Sequence, residues 1–216
     1  MSISEEDKQA KSESIEGYYN WLEKKINSLT HFYNNGYKTE ALLLCCCYID
    51  SLGNLRNPEN GNKETFVYML KKYSENELFG YIHPKMLIKT FVGGRIKKLN
   101  KIGGKIEAIL KKHSGQFYSD REILNFAKPL LNSDEIEILT DNLWRGTYAA
   151  IAYEDVRCPA VHRFSGSNVS FDKTTYKGEP TPEIDFHILY EALKKVYSTM
   201  KEMALESNTW SGNPSK

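Results

Sequence analysis

The stretch Ala41-Leu42-Leu43-Leu44-Cys45-Cys46-Cys47-Tyr48-Ile49 decides how this chain folds. Its residues are apolar nearly all round a helical wheel, which marks a central buried helix rather than a surface one. Thr39 stands where an N-cap would, and the helix is predicted to run to about Leu55. Asp50 follows the apolar run directly. A carboxylate so close to a buried segment is costly unless it is paired. It is either an ion-pair or capping group, or an acid that orients an arginine at a functional site.

Working outward, the chain reads as further helices. Residues 1–13 are expected to be a frayed tail. A helix follows from about Ser14 to Asn34, with Tyr18, Trp21, Leu22, Ile26 and Leu29 near helical spacing, ended by Asn34-Asn35-Gly36. Asn62 to Tyr73 is a third helix. Pro84 opens another, and Ser119 caps a short one over Asp120–Ala127. Ser133 starts a long helix that is expected to run to about Arg157 or to the break at Pro159. Turn residues Ser165-Gly166-Ser167-Asn168 precede a predicted hairpin of residues 169–172 with 174–176. Glu183 to Leu205 closes the fold, and residues 207–216 read as a loose tail. The prediction is a mainly α class: one helical-bundle domain over 14–206, with a small β-hairpin before the C-terminal helix.

The totals narrow the function classes. With a net charge of +1 and a pI near 7.6, bulk charge does not announce a nucleic-acid binder. No apolar run approaches the ~20 residues needed to cross a bilayer. The polar, acidic start (Met1 to Glu16) has no signal-peptide core, so a cytoplasmic protein with no membrane association is expected. Cys45, Cys46 and Cys47 point in directions about 100° apart on a helix and cannot share a metal conveniently; they read as small core fillers in a reducing compartment.

Charge is uneven, however. Residues 85–112 carry nine bases (Lys85, Lys89, Arg95, Lys97, Lys98, Lys101, Lys105, Lys111 and Lys112) against one acid, Glu107. Gly93-Gly94 and Gly103-Gly104 lack the Gly-Lys-Ser/Thr ending of a phosphate loop, which argues against nucleoside triphosphates. The segment is either a solvated helical face or a basic insertion that tracks a polyanion such as RNA, with Lys97, Lys98, Lys101 and Lys105 as the backbone contacts.

The stretch Arg157-Cys158-Pro159-Ala160-Val161-His162 carries the chemistry. Arginine is always charged and grips phosphate with a planar fork. Histidine, with a reference pKa of about 6.5, takes or gives a proton near neutrality. Together they suit metal-free RNA cleavage by the ribose 2′-hydroxyl, a reaction closed to DNA. The plainer reading is a structural Arg157 paired to Glu154 or Asp155, beside a surface histidine. No two histidines stand at i, i+4 with an acid and no Cys-x2-Cys occurs, so neither a metal site nor any other cofactor is expected.

The order of these features resembles the HEPN superfamily of helical RNases and RNA-associated domains. An apolar early helix ends in an acid (Leu42 to Asp50). A long helix then delivers Arg-x4-His (Arg157, His162), and a turn, a hairpin and a closing helix follow. The resemblance spans roughly residues 14–206, but only the Arg-x4-His stretch is motif-like. It implies that Arg157 and His162 are the catalytic pair, that Asp50 supports them, and that a homodimer brings two motifs to one cleft. It also implies a role in phage defence or stress response, with a regulatory partner protein in some members. This chain has Cys158 and Pro159 where relatives often have a polar residue after the arginine. Phe164 stands where one toxin branch has tyrosine, so modification of a tyrosine there is not available. The alternative is a non-catalytic module of the same fold that binds RNA or a partner protein.

Overall fold

The computed structural model describes residues 4–59, 61–92, 97–113, 117–157, 175–176, 179–180 and 186–212. These are mainly helical: α1 Glu5–Asn27, α2 Leu29–Asn34, α3 Lys38–Arg56, α4 Asn62–Tyr73, α5 Pro84–Val92, α6 Lys97–Lys111, α7 Asp120–Ala127, α8 Ser133–Asn142, α9 Tyr148–Ile151 and α10 Phe186–Ser207. A π-helical segment, Ala152–Arg157, continues α9. Short 3-10 turns cover Glu77–Gly80 and Leu143–Gly146.

Apolar α3 is central, as its composition demands. It packs against α2, α4 and α10, and Leu42, Cys45, Cys46, Ile49 and Leu52 are buried. Gly53 lets α4 come close, since a Cβ there would meet the Thr65 side chain. Cys47 departs from the core-filler reading: it is exposed.

A second apolar cluster lies under the basic segment. Leu99, Ile102, Ile106, Ile109 and Leu110 of α6 join Leu87 and Phe91 of α5, Ile123 of α7 and Leu139 of α8. Helices α5 and α6 meet closely because α6 has Gly103 at the crossing; a Cβ there would run into the Phe91 carbonyl. Ile82, itself in this second cluster, bridges both Tyr118 and Thr147, and through Thr147 it reaches the turn that opens α9. Its N–H donates to the Tyr118 carbonyl (2.7 Å) and its carbonyl accepts from Tyr118 N–H (3.0 Å). Beside it, His83 N–H donates to Gly146 and Tyr148 N–H to Tyr81.

That crossing explains the main correction. The long helix expected from Ser133 to about Arg157 is broken at Gly146-Thr147. Thr147 is extended and caps α9 through its hydroxyl, which accepts from Ala150 N–H. Gly146 is pressed against Leu87 and Ile82, where a side chain would not fit. The start of α8 also shifts: Asn132, not Ser133, is the cap, in a reciprocal box with Glu135.

The ends differ from expectation too. Residues 5–13, read as a frayed tail, are the first turns of α1, capped by Ser4. The helix expected over 14–34 is divided at Ser28 into α1 and α2. Residues 208–212 are docked rather than loose. Tyr19 donates to the Trp210 carbonyl (3.2 Å) and Arg56 to the Ser211 carbonyl (3.1 Å). Thr175–Tyr176 pairs antiparallel with Glu179–Pro180 over two residues. This is not the hairpin read from the sequence, whose residues 169–174 lie outside the described residues.

Candidate functional site

Positions 47, 50, 51 and 54 recur at i, i+3, i+4 and i+7, so α3 presents Cys47, Asp50, Ser51 and Asn54 on one face. With Leu55 they line an open cleft of about 460 Å³. Arg157 reaches Asp50 from the last residue of the π segment. Its Nε donates to Asp50 Oδ2 at 2.9 Å, across 107 positions of chain. The two side chains are 13% and 14% exposed. The guanidinium also lies over the Tyr153 ring, 5.0 Å from its centre. A π turn inside a helix often marks a functional position, because it re-aims one side chain against the i+4 rule.

The electrostatics follow from burial. Burial pushes the Asp50 carboxyl above its ordinary value, and Arg157 pulls it only part of the way back. Burial likewise raises the Cys47 thiol; Asp50 adds to that rise and Arg157 opposes it. The balance favours the neutral thiol of Cys47 over its thiolate.

Glu154, the acid expected as one partner of Arg157, is engaged elsewhere. It accepts from Lys63 at 2.6 Å and from Lys89 at 3.1 Å. Burial works to raise its carboxyl, but the two ammonium groups outweigh it and hold the carboxyl low. Lys89 thus links the basic segment to the π segment that carries Arg157.

His162 lies outside the described residues, as do Cys158, Pro159, Phe164 and Arg95. Lys97, Lys98 and Lys101 project into solvent from α6, and none has an ion pair among the described residues. Lys105 differs from them: it is bound to Glu135 at 2.6 Å, the same acid that caps α8. The structure brings Asp50 to Arg157; the α6 lysines stand over the second apolar cluster instead.

Tyr153 and the Lys63–Glu154–Lys89 chain were not singled out by sequence. Tyr153 stands four residues before Arg157, a separation that brings helical side chains together, so it was readable. The Glu154 contacts join three distant segments and left no local signal. Among the described residues no group of His, Cys, Asp or Glu is arranged to hold a metal, and no helix is long and apolar enough to cross a membrane. No family model, curated protein or solved structure matches this chain.

Proposed function

We propose that the protein is a metal-independent endoribonuclease of HEPN type, working as a homodimer on RNA in the cytoplasm, in phage defence or stress response. The observation that supports it is the Asp50–Arg157 ion pair. The acid that follows the apolar run within α3 holds the arginine of the Arg-x4-His stretch by its Nε edge. In this reading the guanidinium neutralises the scissile phosphate. His162 removes the 2′-hydroxyl proton, the 2′-oxygen forms a bond to phosphorus, and the bond to the 5′-oxygen breaks. The proton passes to that leaving oxygen. The products are a 2′,3′-cyclic phosphate and a 5′-hydroxyl. Lys97, Lys98 and Lys101 hold the flanking backbone, with Lys105 joining them by exchanging Glu135 for phosphate.

The test is cleavage of end-labelled single-stranded RNA in EDTA, wild type beside His162→Ala. Wild type is expected to cleave and leave cyclic ends, and His162→Ala to lose at least ~100-fold in rate, the scale of general acid–base catalysis. Equal cleavage by both proteins overturns the assignment.

The second reading, a non-catalytic RNA- or protein-binding module, has the low exposure of Arg157 on its side. An arginine committed to an internal acid can serve the fold alone. RNA binding by both proteins with cleavage by neither selects this reading.

A further inference from the structure

Away from Arg157, one face of α4 opens onto the 3-10 turn Leu143–Gly146. Glu64, Val67, Tyr68, Lys71 and Lys72 recur at i, i+3, i+4, i+7 and i+8 and, with Trp144, line a cleft of about 490 Å³. That volume is in the range of small-ligand sites, about 300–1,000 Å³. Tyr68 is 40% exposed, high for a ring on a cleft wall. Trp144 is half-buried, with the Arg145 guanidinium stacked 4.3 Å from its ring centre and the Lys63 ammonium at 5.7 Å.

Lys63 is held by Glu154 at 2.6 Å and Arg145 donates to Asn142 at 2.9 Å, but the ion pairs that Lys71 and Arg145 make at this cleft are long. Lys71 stands 3.8 Å from Asp120, and Arg145 stands 3.6 Å from Glu64. Both separations exceed a hydrogen bond, and exposed pairs of this kind oppose an incoming phosphate only weakly. Lys72 is exposed and has no ion pair among the described residues. The aromatic rings call for a flat π ligand and the ammonium groups for an anion. A nucleotide supplies both in one unit, whereas an acidic peptide supplies only the second.

We propose that this cleft binds a nucleotide, its base against Tyr68 and Trp144 and its phosphate on Lys71 and Lys72. The nucleotide is either free or one link of a single-stranded RNA. Lys63 connects this cleft to the proposed cleavage site, since it reaches both Trp144 and Glu154, three residues before Arg157. The choice of ligand leans on the proposed RNA substrate. Binding is therefore measured in full-length His162→Ala, where failure of cleavage and failure of this site are separate results.

The probes are a fluorescein-labelled eight-nucleotide single-stranded RNA, followed by anisotropy, and AMP, followed by calorimetry. The variants are Tyr68→Ala and Lys72→Gln, with circular dichroism as a check that each folds; both positions are exposed. Tyr68→Ala is expected to weaken binding about tenfold, the scale of one base–aromatic stack. Lys72→Gln is expected to lower the salt slope of RNA binding by about 0.7. AMP binding that falls with Tyr68→Ala assigns a free-nucleotide site. RNA binding that falls with it, without AMP binding, assigns a subsite for the RNA chain. Absence of binding by both probes, or binding indifferent to both substitutions, overturns the proposal. So does binding of a labelled polyglutamate peptide that depends on Lys72 but not Tyr68 while AMP and RNA fail; that result selects a protein partner.

Discussion

The two apolar clusters treat charge in opposite ways. Beside the first, around α3, α4 and α10, Asp50 and Arg157 are drawn in together and shielded from water. Over the second, around α5 to α8, Lys97, Lys98 and Lys101 sit on the outer side of an amphipathic helix and are exposed. Charge near the first cluster is part of the fold, so its removal should be felt as instability. Over the second, Lys105 is tied to the α8 cap through Glu135, but Lys97, Lys98 and Lys101 are dispensable to the fold and available to a partner.

The sharpest break of that contrast is Arg157→Ala. It leaves the Asp50 carboxylate shielded and unpaired, and is expected to cost roughly 3 kcal/mol at pH 7, the low end for breaking a buried pair because both groups keep some exposure. Urea unfolding measures it. Without the arginine, Asp50 sits still further above its ordinary value. The folded state then binds a proton more readily than the unfolded chain does. The cost should shrink as pH falls through the folded value toward the unfolded one, because the stranded charge is neutralised. A cost that is flat between pH 7 and pH 4 would contradict the burial of Asp50.

Neighbouring glycines of α6 sharpen the same comparison. Gly103→Ala should destabilise by about 1–3 kcal/mol, because the methyl group must displace the Phe91 backbone. Gly104 has open space around its Cβ position. There, alanine should stabilise by about 0.5–1 kcal/mol through helix propensity alone. Opposite signs at adjacent positions, read as shifts in urea midpoint, would confirm that α6 is packed on one side and bare on the other.

The smallest effect on stability belongs to the α6 lysines. Changing Lys97, Lys98 and Lys101 together to glutamine should leave unfolding within about 0.5 kcal/mol of wild type. The same variant should bind single-stranded RNA with a salt slope lower by about 2. An unchanged slope would remove α6 from the proposed RNA path.

Local signals in the sequence were enough for much of this architecture. Ser119 with Glu122 at N3 marks α7, and Asn62 to Tyr73 matches α4 end to end. The all-apolar run places α3 at the centre. What escaped was set by distant contacts. The break at Gly146-Thr147 exists because Ile82 and Leu87 press on it, and nothing within the sequence of α8 and α9 announces that. That Asp50 orients an arginine is one of its two sequence readings, and the resemblance points to Arg157; the geometry of their meeting depends on how α3 lies against the segment after α9. The frayed-tail reading of the first residues failed for another reason. Glu5, Glu6 and Asp7 in the first turn suit a helix N-terminus as well as they suit a polar tail.

The π segment gives the Arg157 site a peculiar arithmetic. Its wider turn accommodates a residue more than an α-helix of the same rise would. A chain one residue shorter between 152 and 156 would close as ordinary α-helix. Arg157 would then keep close to its present bearing, because the wide turn already absorbs the extra residue, and the guanidinium would stay on Asp50. A single-residue deletion there should therefore spare the ion pair, while an insertion, which the turn has no further room to absorb, should swing Arg157 about 100° around the axis and break it.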